Sequence, residues 1–366
     1  MDVLRAANER EAAGENVLHL EVGEPGTGAP KPVIEAARAA LLSESIGYTE
    51  ALGLPRLRER IAAYYGTRYG LDVAPGRVVV TTGASGGFLL GFLSAFEPKD
   101  RIGIAEPSYP AYRNILVALD LEPVPIRTSL ATRFQPTVEL LEPHGGKLDG
   151  LIVASPSNPT GTMLEPDELE RLAAYCREGG IRLLSDEIYH GISYGKTAAT
   201  ALAFDPEAIV VNSFSKYFSM TGWRIGWMVV PESLLRSIEC LAQNIFISPP
   251  TLSQHGAQCV FGCTDELDAH VAAYAKNRDL LLEELPKAGF DQLAPADGAF
   301  YLYADVSKFS DDSDAFCRRM LAETGVATTP GIDFDPVEGN RYVRFSFAGS
   351  HATIQEAARR LKAWRP

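Results

Sequence analysis

Lys216 has the least ordinary surroundings of any charged residue in this chain. It lies in the stretch Ala208–Trp227, AIVVNSFSKYFSMTGWRIGW, just after Ile209–Val211, an apolar run of the kind a buried parallel strand carries. Ser213 and Ser215 flank it, Arg224 follows, and a second apolar run, Ile225–Val230, closes the segment. No amphipathic pattern sends this lysine to a solvated face. A lysine held among apolar and cationic groups has a depressed pKa and attacks carbonyls as a free amine. That is the chemistry of a Schiff-base lysine.

Ser213-x-x-Lys216 also spells the nucleophile motif of penicillin-binding enzymes, with Ser185-Asp186-Glu187 and Lys196-Thr197-Ala198 imitating its companions. In those enzymes the companions follow the nucleophile, and the serine opens a helix. Here they precede it, the serine closes a strand, and neither companion is intact.

The elements that must position Lys216 begin upstream. The stretch 1–13 reads as a helix stopped by Gly14, Val17–Val22 as a strand, and Lys31–Leu42 and Leu54–Tyr69 as helices. From Arg77 the pattern alternates. Val78–Thr82 is a strand, Gly83–Gly87 a tight turn and Phe88–Phe96 a helix. Arg101–Ala105, Leu151–Ala154 and Ile181–Leu184 are further strands, each followed by a helix or a polar turn. Such alternation predicts an α/β fold with a mostly parallel central sheet covered by helices. Past Pro231 come helices at 232–243, 251–261 and 265–285, then strands near 299–305 and 342–347 separated by a helix at 311–324, and a closing helix from His351. This predicts a large domain over 24–264 and a smaller α+β domain from 1–23 and 265–366.

In an open parallel sheet, ligands bind at the carboxyl ends of the strands. Gly83–Gly87, Tyr109, Asn158, Asp186 with Tyr189, and Ser213 with Lys216 all fall there. Taken singly, each has a plain structural reading: tight packing for the glycines, a turn for Asn158-Pro159, a helix cap for Asp186. Together they describe a site for an anionic aromatic aldehyde. Amides at Ala84–Gly86 open a helix suited to phosphate, and Ser213 and Arg224 add a hydroxyl and a fork of charged donors. Tyr109 offers a flat surface for a ring. Asp186 can hold a ring nitrogen protonated, and Asn158 and Tyr189 can hydrogen-bond a phenolate. Lys216 forms the imine and then acts as general base at the substrate α-carbon.

Composition excludes other classes. The net charge of -13, from 47 acidic and 34 basic residues, argues against nucleic acid as a partner. The five cysteines form no C-x-x-C pair, and Cys259 and Cys263 lack a further ligand set, so no metal site is expected. An odd cysteine count without a signal peptide points to a reducing cytoplasm. No apolar run approaches the length of a membrane span.

The motifs TTGASGG, PSYPAY, SPSNPTG, SDEIY, SFSKYFSMTGWRIGW, GAFY and YVRFSFA run in order from about Glu21 to Ala348. In this the chain resembles the class I/II aminotransferases of fold type I, which depend on pyridoxal 5′-phosphate. The resemblance implies that Lys216 carries the cofactor as an aldimine, that Asp186 partners the pyridine nitrogen, and that Asn158 and Tyr189 bind the ring oxygen. It implies phosphate contacts from Ala84, Ser85, Ser213 and Arg224 and further cofactor contacts from Gly83, Gly86 and Ser215, with Tyr109 stacked on the ring. It gives Arg344 the substrate α-carboxylate, with Gly23 and Asn158 lining that pocket; read alone, Arg344 is equally an edge-strand arginine. It further implies a homodimer in which Tyr48 and the 244–250 segment reach the neighbouring subunit; read alone, Tyr48 is equally a buried aromatic.

The expected activity is transfer of an amino group from an L-amino acid to a 2-oxo acid, with 2-oxoglutarate the expected acceptor, in two half-reactions. A C–S or other lyase using the same site is the alternative, followed by a non-catalytic cofactor-binding sensor, which the charge and the lack of an N-terminal DNA-binding module disfavour. A nicotinamide dehydrogenase lacks its glycine fingerprint. Two departures stand out. Asp335 occupies the place of a usual glycine in Pro330-Gly331-Ile332-Asp333-Phe334-Asp335, and a short N-terminal arm is expected to leave the pocket entrance open.

Overall fold

The computed structural model describes residues 2–144 and 146–364. Among these residues twelve strands follow in chain order: β1 Leu18–His19, β2 Val78–Thr81, β3 Arg101–Glu106, β4 Glu122–Arg127, β5 Gly150–Ala154, β6 Arg182–Asp186, β7 Ile209–Ser213, β8 Gly226–Val229, β9 Tyr301–Asp305, β10 Val326–Ala327, β11 Thr329–Pro330 and β12 Tyr342–Ser346. Seven of them form one sheet in the order β2-β8-β7-β6-β5-β3-β4. β8 alone runs against its neighbours, so β2 and the other five point the same way. Alternation decides which face each side chain covers. Val79, Ile209, Val211 and Met228 pack on one face with Phe88 and Ile238, whereas Val80, Val210, Trp227 and Val229 join the core on the other.

The crossover order places the carboxyl ends of β2, β3, β5, β6 and β7 on one edge. The amino end of β8 lies there too, because β8 is reversed. A second sheet, β11-β12-β9, is antiparallel and carries Arg344 opposite Thr329 and Tyr303. β1 pairs with β10.

Three sequence readings need correction. Gly83–Gly87 is not a turn before the helix but its first turns: the helix runs Gly83–Ala95. Glycine is a poor helix former, yet a Cβ on Gly87 would lie 3.1 Å from Val211 and 3.2 Å from Met228, so the bare face is what seats this helix on β7 and β8. The strand expected over Val17–Val22 shrinks to Leu18–His19, because the carbonyl of Glu21 is taken by the Arg344 guanidinium instead of a ladder partner. The helix expected over Thr251–Phe261 ends at Ala257 and passes into a short turn at Val260–Gly262. The first helix runs Asp2–Ala12; Met1, which the sequence also assigned to it, lies outside the described residues.

Candidate active site

Lys216 leaves β7 on a turn fixed from beneath by aromatic rings. Phe214 packs 4.7 Å from Trp227 and 5.3 Å from Phe218, centroid to centroid, and both Phe214 and Trp227 are fully buried. Ser213 accepts from the amide of Ser215 at 3.1 Å, and Thr221 donates to the Ser215 carbonyl at 2.8 Å. The lysine emerges into a cavity of about 650 Å³ lined from both larger sheets. Its Nζ donates to the carbonyl of Gly23 and sits 5.9 Å from the centre of the Tyr189 ring. Burial lowers its pKa to about 8, with the Arg344 and Arg224 charges pushing the same way.

Asp186, at the end of β6, is 4% exposed. It accepts from the Tyr112 hydroxyl and from the amide of Ile188 at 3.0 Å. Burial raises its carboxyl to about 6, against the lowering effect of those two donors and of Lys216. A cationic partner across the cavity would favour its ionised form. Tyr189 is buried beside it and shares a 2.7 Å hydrogen bond with the hydroxyl of Tyr301.

Arg344 forms the opposite wall. Its guanidinium donates to Asn158 Oδ1 at 2.8 Å, to the Glu21 carbonyl at 2.7 Å and to Thr329 at 3.1 Å. It lies over the rings of Tyr301 at 4.3 Å and Phe334 at 4.9 Å. Its Nε is buried and takes no partner. A planar cation set against two rings in the cavity wall is suited to a carboxylate.

The third corner is the start of the helix Gly83–Ala95, where Ala84 and Ser85 line the cavity with Ser215, Thr221 and Arg224. Arg224 has φ 51 and donates to the Thr221 carbonyl at 3.0 Å. Gly83 has φ +69, and a Cβ there would fall 2.8 Å from the Arg224 guanidinium. A helix start, hydroxyls and a guanidinium lining one corner of the cavity suit an anion.

Of the residues singled out from sequence, Gly23, Ala84, Ser85, Tyr109, Asn158, Asp186, Tyr189, Ser215, Lys216, Arg224 and Arg344 line this one cavity. Gly83, Gly86 and Ser213 support its wall without lining it; Ser213 is 1% exposed and its hydroxyl is engaged with Ser215 and Ile225. Tyr48 stands apart, 81% exposed, which removes the buried-aromatic reading. Sequence reasoning missed Tyr112 and Tyr301, although both stand inside the motifs PSYPAY and GAFY. Their roles rest on contacts across the fold that no local spacing encodes. The residues fit pyridoxal 5′-phosphate: an anion cradle, a buried carboxylate for a ring nitrogen, hydroxyls for a ring oxygen and a depressed lysine share one space. The Asp335 departure is absorbed locally. Its carboxylate accepts from the amides of Val337 at 2.8 Å and Glu338 at 3.0 Å and meets Arg127 at 3.2 Å, so the loop needs no glycine there.

Residues 15–361 match the family model described as aminotransferase class I and II. The valine–pyruvate aminotransferase of Mycobacterium tuberculosis is 51% identical over 370 residues, covering 100% of this chain and 95% of that protein. A crystal structure of an aminotransferase from Mycobacterium tuberculosis, also 51% identical, superposes with a TM-score of 0.97 over 100% of this chain and 95% of that one. The aspartate aminotransferase of Thermus thermophilus, 32% identical, superposes at 0.92 over 99% and 95%.

Proposed function

The chain belongs to the class I and II aminotransferase family, and from that premise we propose that it moves the amino group of an L-amino acid to a 2-oxo acid with pyridoxal 5′-phosphate held around Lys216. The observation that carries this reading is the meeting of three groups in one cavity: the depressed Lys216 amine, the buried Asp186 carboxylate and Arg344, held against the Tyr301 and Phe334 rings. When bound, the cofactor supplies an aldehyde that condenses with amines and a protonated ring that draws electrons from the substrate α-carbon.

The chain's own residues do the rest. The amides at Ala84 and Ser85, with Ser215 and Arg224, hold the phosphate, and Gly83, Gly86 and Ser213 brace that corner. Asp186 keeps a proton on the ring nitrogen, and Tyr112 and the Ile188 amide hold Asp186 in place. Asn158 and Tyr189 face the ring oxygen, and Tyr109 covers the ring. Arg344 binds the substrate α-carboxylate beside Gly23, fixing which bond at the α-carbon faces Lys216. Lys216 Nζ then takes the α-proton, a transfer suited to an amine whose pKa is lowered to about 8.

The pairing of substrates follows a ping-pong order. The acceptor is a 2-oxo acid, for which pyruvate, the partner in the Mycobacterium tuberculosis relative's name, and 2-oxoglutarate are the two to compare. A homodimer is part of the proposal. Leu41, Leu42, Ile46, Tyr48, Ile245 and Ile247 are exposed, which supports a partner surface and a reach of Tyr48 into the neighbouring site. We also propose residues 24–264 as the cofactor-binding unit and 1–23 with 265–366 as the smaller one, since the seven-stranded sheet lies wholly within 78–229.

The deciding experiment pairs Lys216→Ala with wild type, each incubated with the cofactor and then with amino acid and 2-oxo acid. Wild type should exchange amino groups and show a cofactor absorbance band that the variant lacks. Exchange by the variant at the wild-type rate refutes the role of Lys216.

A further inference from the structure

Among the described residues, the cations lining the cavity are Lys216, Arg224 and Arg344. Under the proposed function all three are committed, to the covalent nitrogen, the phosphate and the α-carboxylate respectively. Asp186 is likewise committed to a ring nitrogen. The other charged residues lining the cavity are acidic: Glu21 and Asp314, with Glu24 and Asp333 at its exposed side. Asp314 is bridged by Arg318 at 2.8 Å. Glu21 is the most enclosed of the four at 6% exposure. Its Oε1 meets His19 Nδ1 at 2.7 Å, and His19 in turn approaches Glu11 at 3.8 Å. Its Oε2 is buried without a hydrogen-bond partner. Val3, Leu4 and Phe334 supply apolar wall beside it.

We propose that Glu21 is a selectivity residue that excludes substrates carrying a second carboxylate, so that both the amino donor and the 2-oxo acceptor have uncharged, largely apolar side chains. This rests on the aminotransferase reading and deepens it. A carboxylate is tolerated in an enclosed site only with a cation or a set of donors beside it. The α-carboxylate finds Arg344; a side-chain carboxylate, as in glutamate, aspartate or 2-oxoglutarate, finds no uncommitted cation among the described lining residues and meets a wall that includes the Glu21 carboxylate. An aliphatic side chain meets no such penalty and covers Val3, Leu4 and Phe334.

The test follows loss of cofactor absorbance in single half-reactions of the cofactor-loaded enzyme. Wild type should convert with L-valine at a kcat/KM about 100-fold above that for L-glutamate or L-aspartate, the scale expected of a like charge brought into an enclosed acidic pocket. Glu21→Gln, which retains an oxygen for His19, should raise the glutamate-to-valine ratio about tenfold while leaving cofactor binding intact. Equal conversion of valine and glutamate by wild type overturns the proposal, as does a ratio changed less than about twofold in Glu21→Gln. If no amino acid converts, the aminotransferase reading itself fails, and the two failures are thus separable. An arm that needs no variant uses inhibitors of wild-type valine turnover: butanoate should inhibit and succinate should not, and equal inhibition by both overturns the exclusion.

Discussion

Arg344 offers the most direct check on how this site reads its substrate. Its guanidinium lies over the rings of Tyr301 and Phe334, is anchored by Asn158, the Glu21 carbonyl and Thr329, and keeps a buried, unpartnered Nε. Arg344→Ala removes the cation facing the α-carboxylate and leaves that carboxylate buried and unpaired. Truncating one partner of an enclosed charge pair costs about 2–5 kcal/mol, which is roughly 30- to 4,000-fold in kcat/KM. Because the interaction exists before the α-proton moves, most of the loss should appear in KM. Arg344→Lys should recover only part of it, since an ammonium cannot reproduce the planar fork. The assay is the absorbance-monitored half-reaction with a reactive L-amino acid, run beside the corresponding amine that lacks the carboxylate. The amine should react equally with wild type and variant. A loss below about threefold on the amino acid, or an equal loss on the amine, would show that another group holds the carboxylate.

The Lys216 pKa of about 8 sets a pH dependence. The neutral amine is the reactive form, so at pH 7 roughly a tenth of the nitrogen is free, about 300 times the share of an ordinary lysine. Capture of the cofactor by cofactor-free protein should therefore accelerate as pH rises and level off past about 8; a stopped-flow rate still climbing steeply beyond pH 10 would contradict the depressed value. Asp186→Ala should lower kcat far more than cofactor occupancy, and Tyr112→Phe should lower kcat by about tenfold through loss of a hydrogen bond to a charged group. Rates within about twofold of wild type for both, with cofactor bound, would remove them from the chemistry. Phe214→Ala, under the lysine turn, should cost about 3–5 kcal/mol in a denaturant titration of the loaded enzyme; a loss under about 1 kcal/mol would mean that the aromatic cluster does not hold the turn.

Much of the site was legible along the chain because its polar residues interrupt apolar strands. Asn158, Asp186 and Lys216 each follow a run that can only be buried, and strand order then delivers them to one edge. The helix start at Gly83 was misread since local propensity disfavours glycine there, and only the approach of Val211 and Met228 explains it. β4, Glu122–Arg127, went unread: two prolines mask it, and its edge position is what tolerates them.

The linear order of residues therefore determined the doubly covered parallel sheet, the lysine and its anion cradle, because burial periodicity and side-chain chemistry are written locally. What only the tertiary structure decided is which distant groups complete one another. Asn158 and Arg344 are bonded across 186 positions, and Tyr112 reaches Asp186 across 74. Glu21 is left lining the cavity with one carboxylate oxygen buried and unpartnered. Such pairings depend on how strands and helices cross in space, and a one-dimensional pattern carries no term for that.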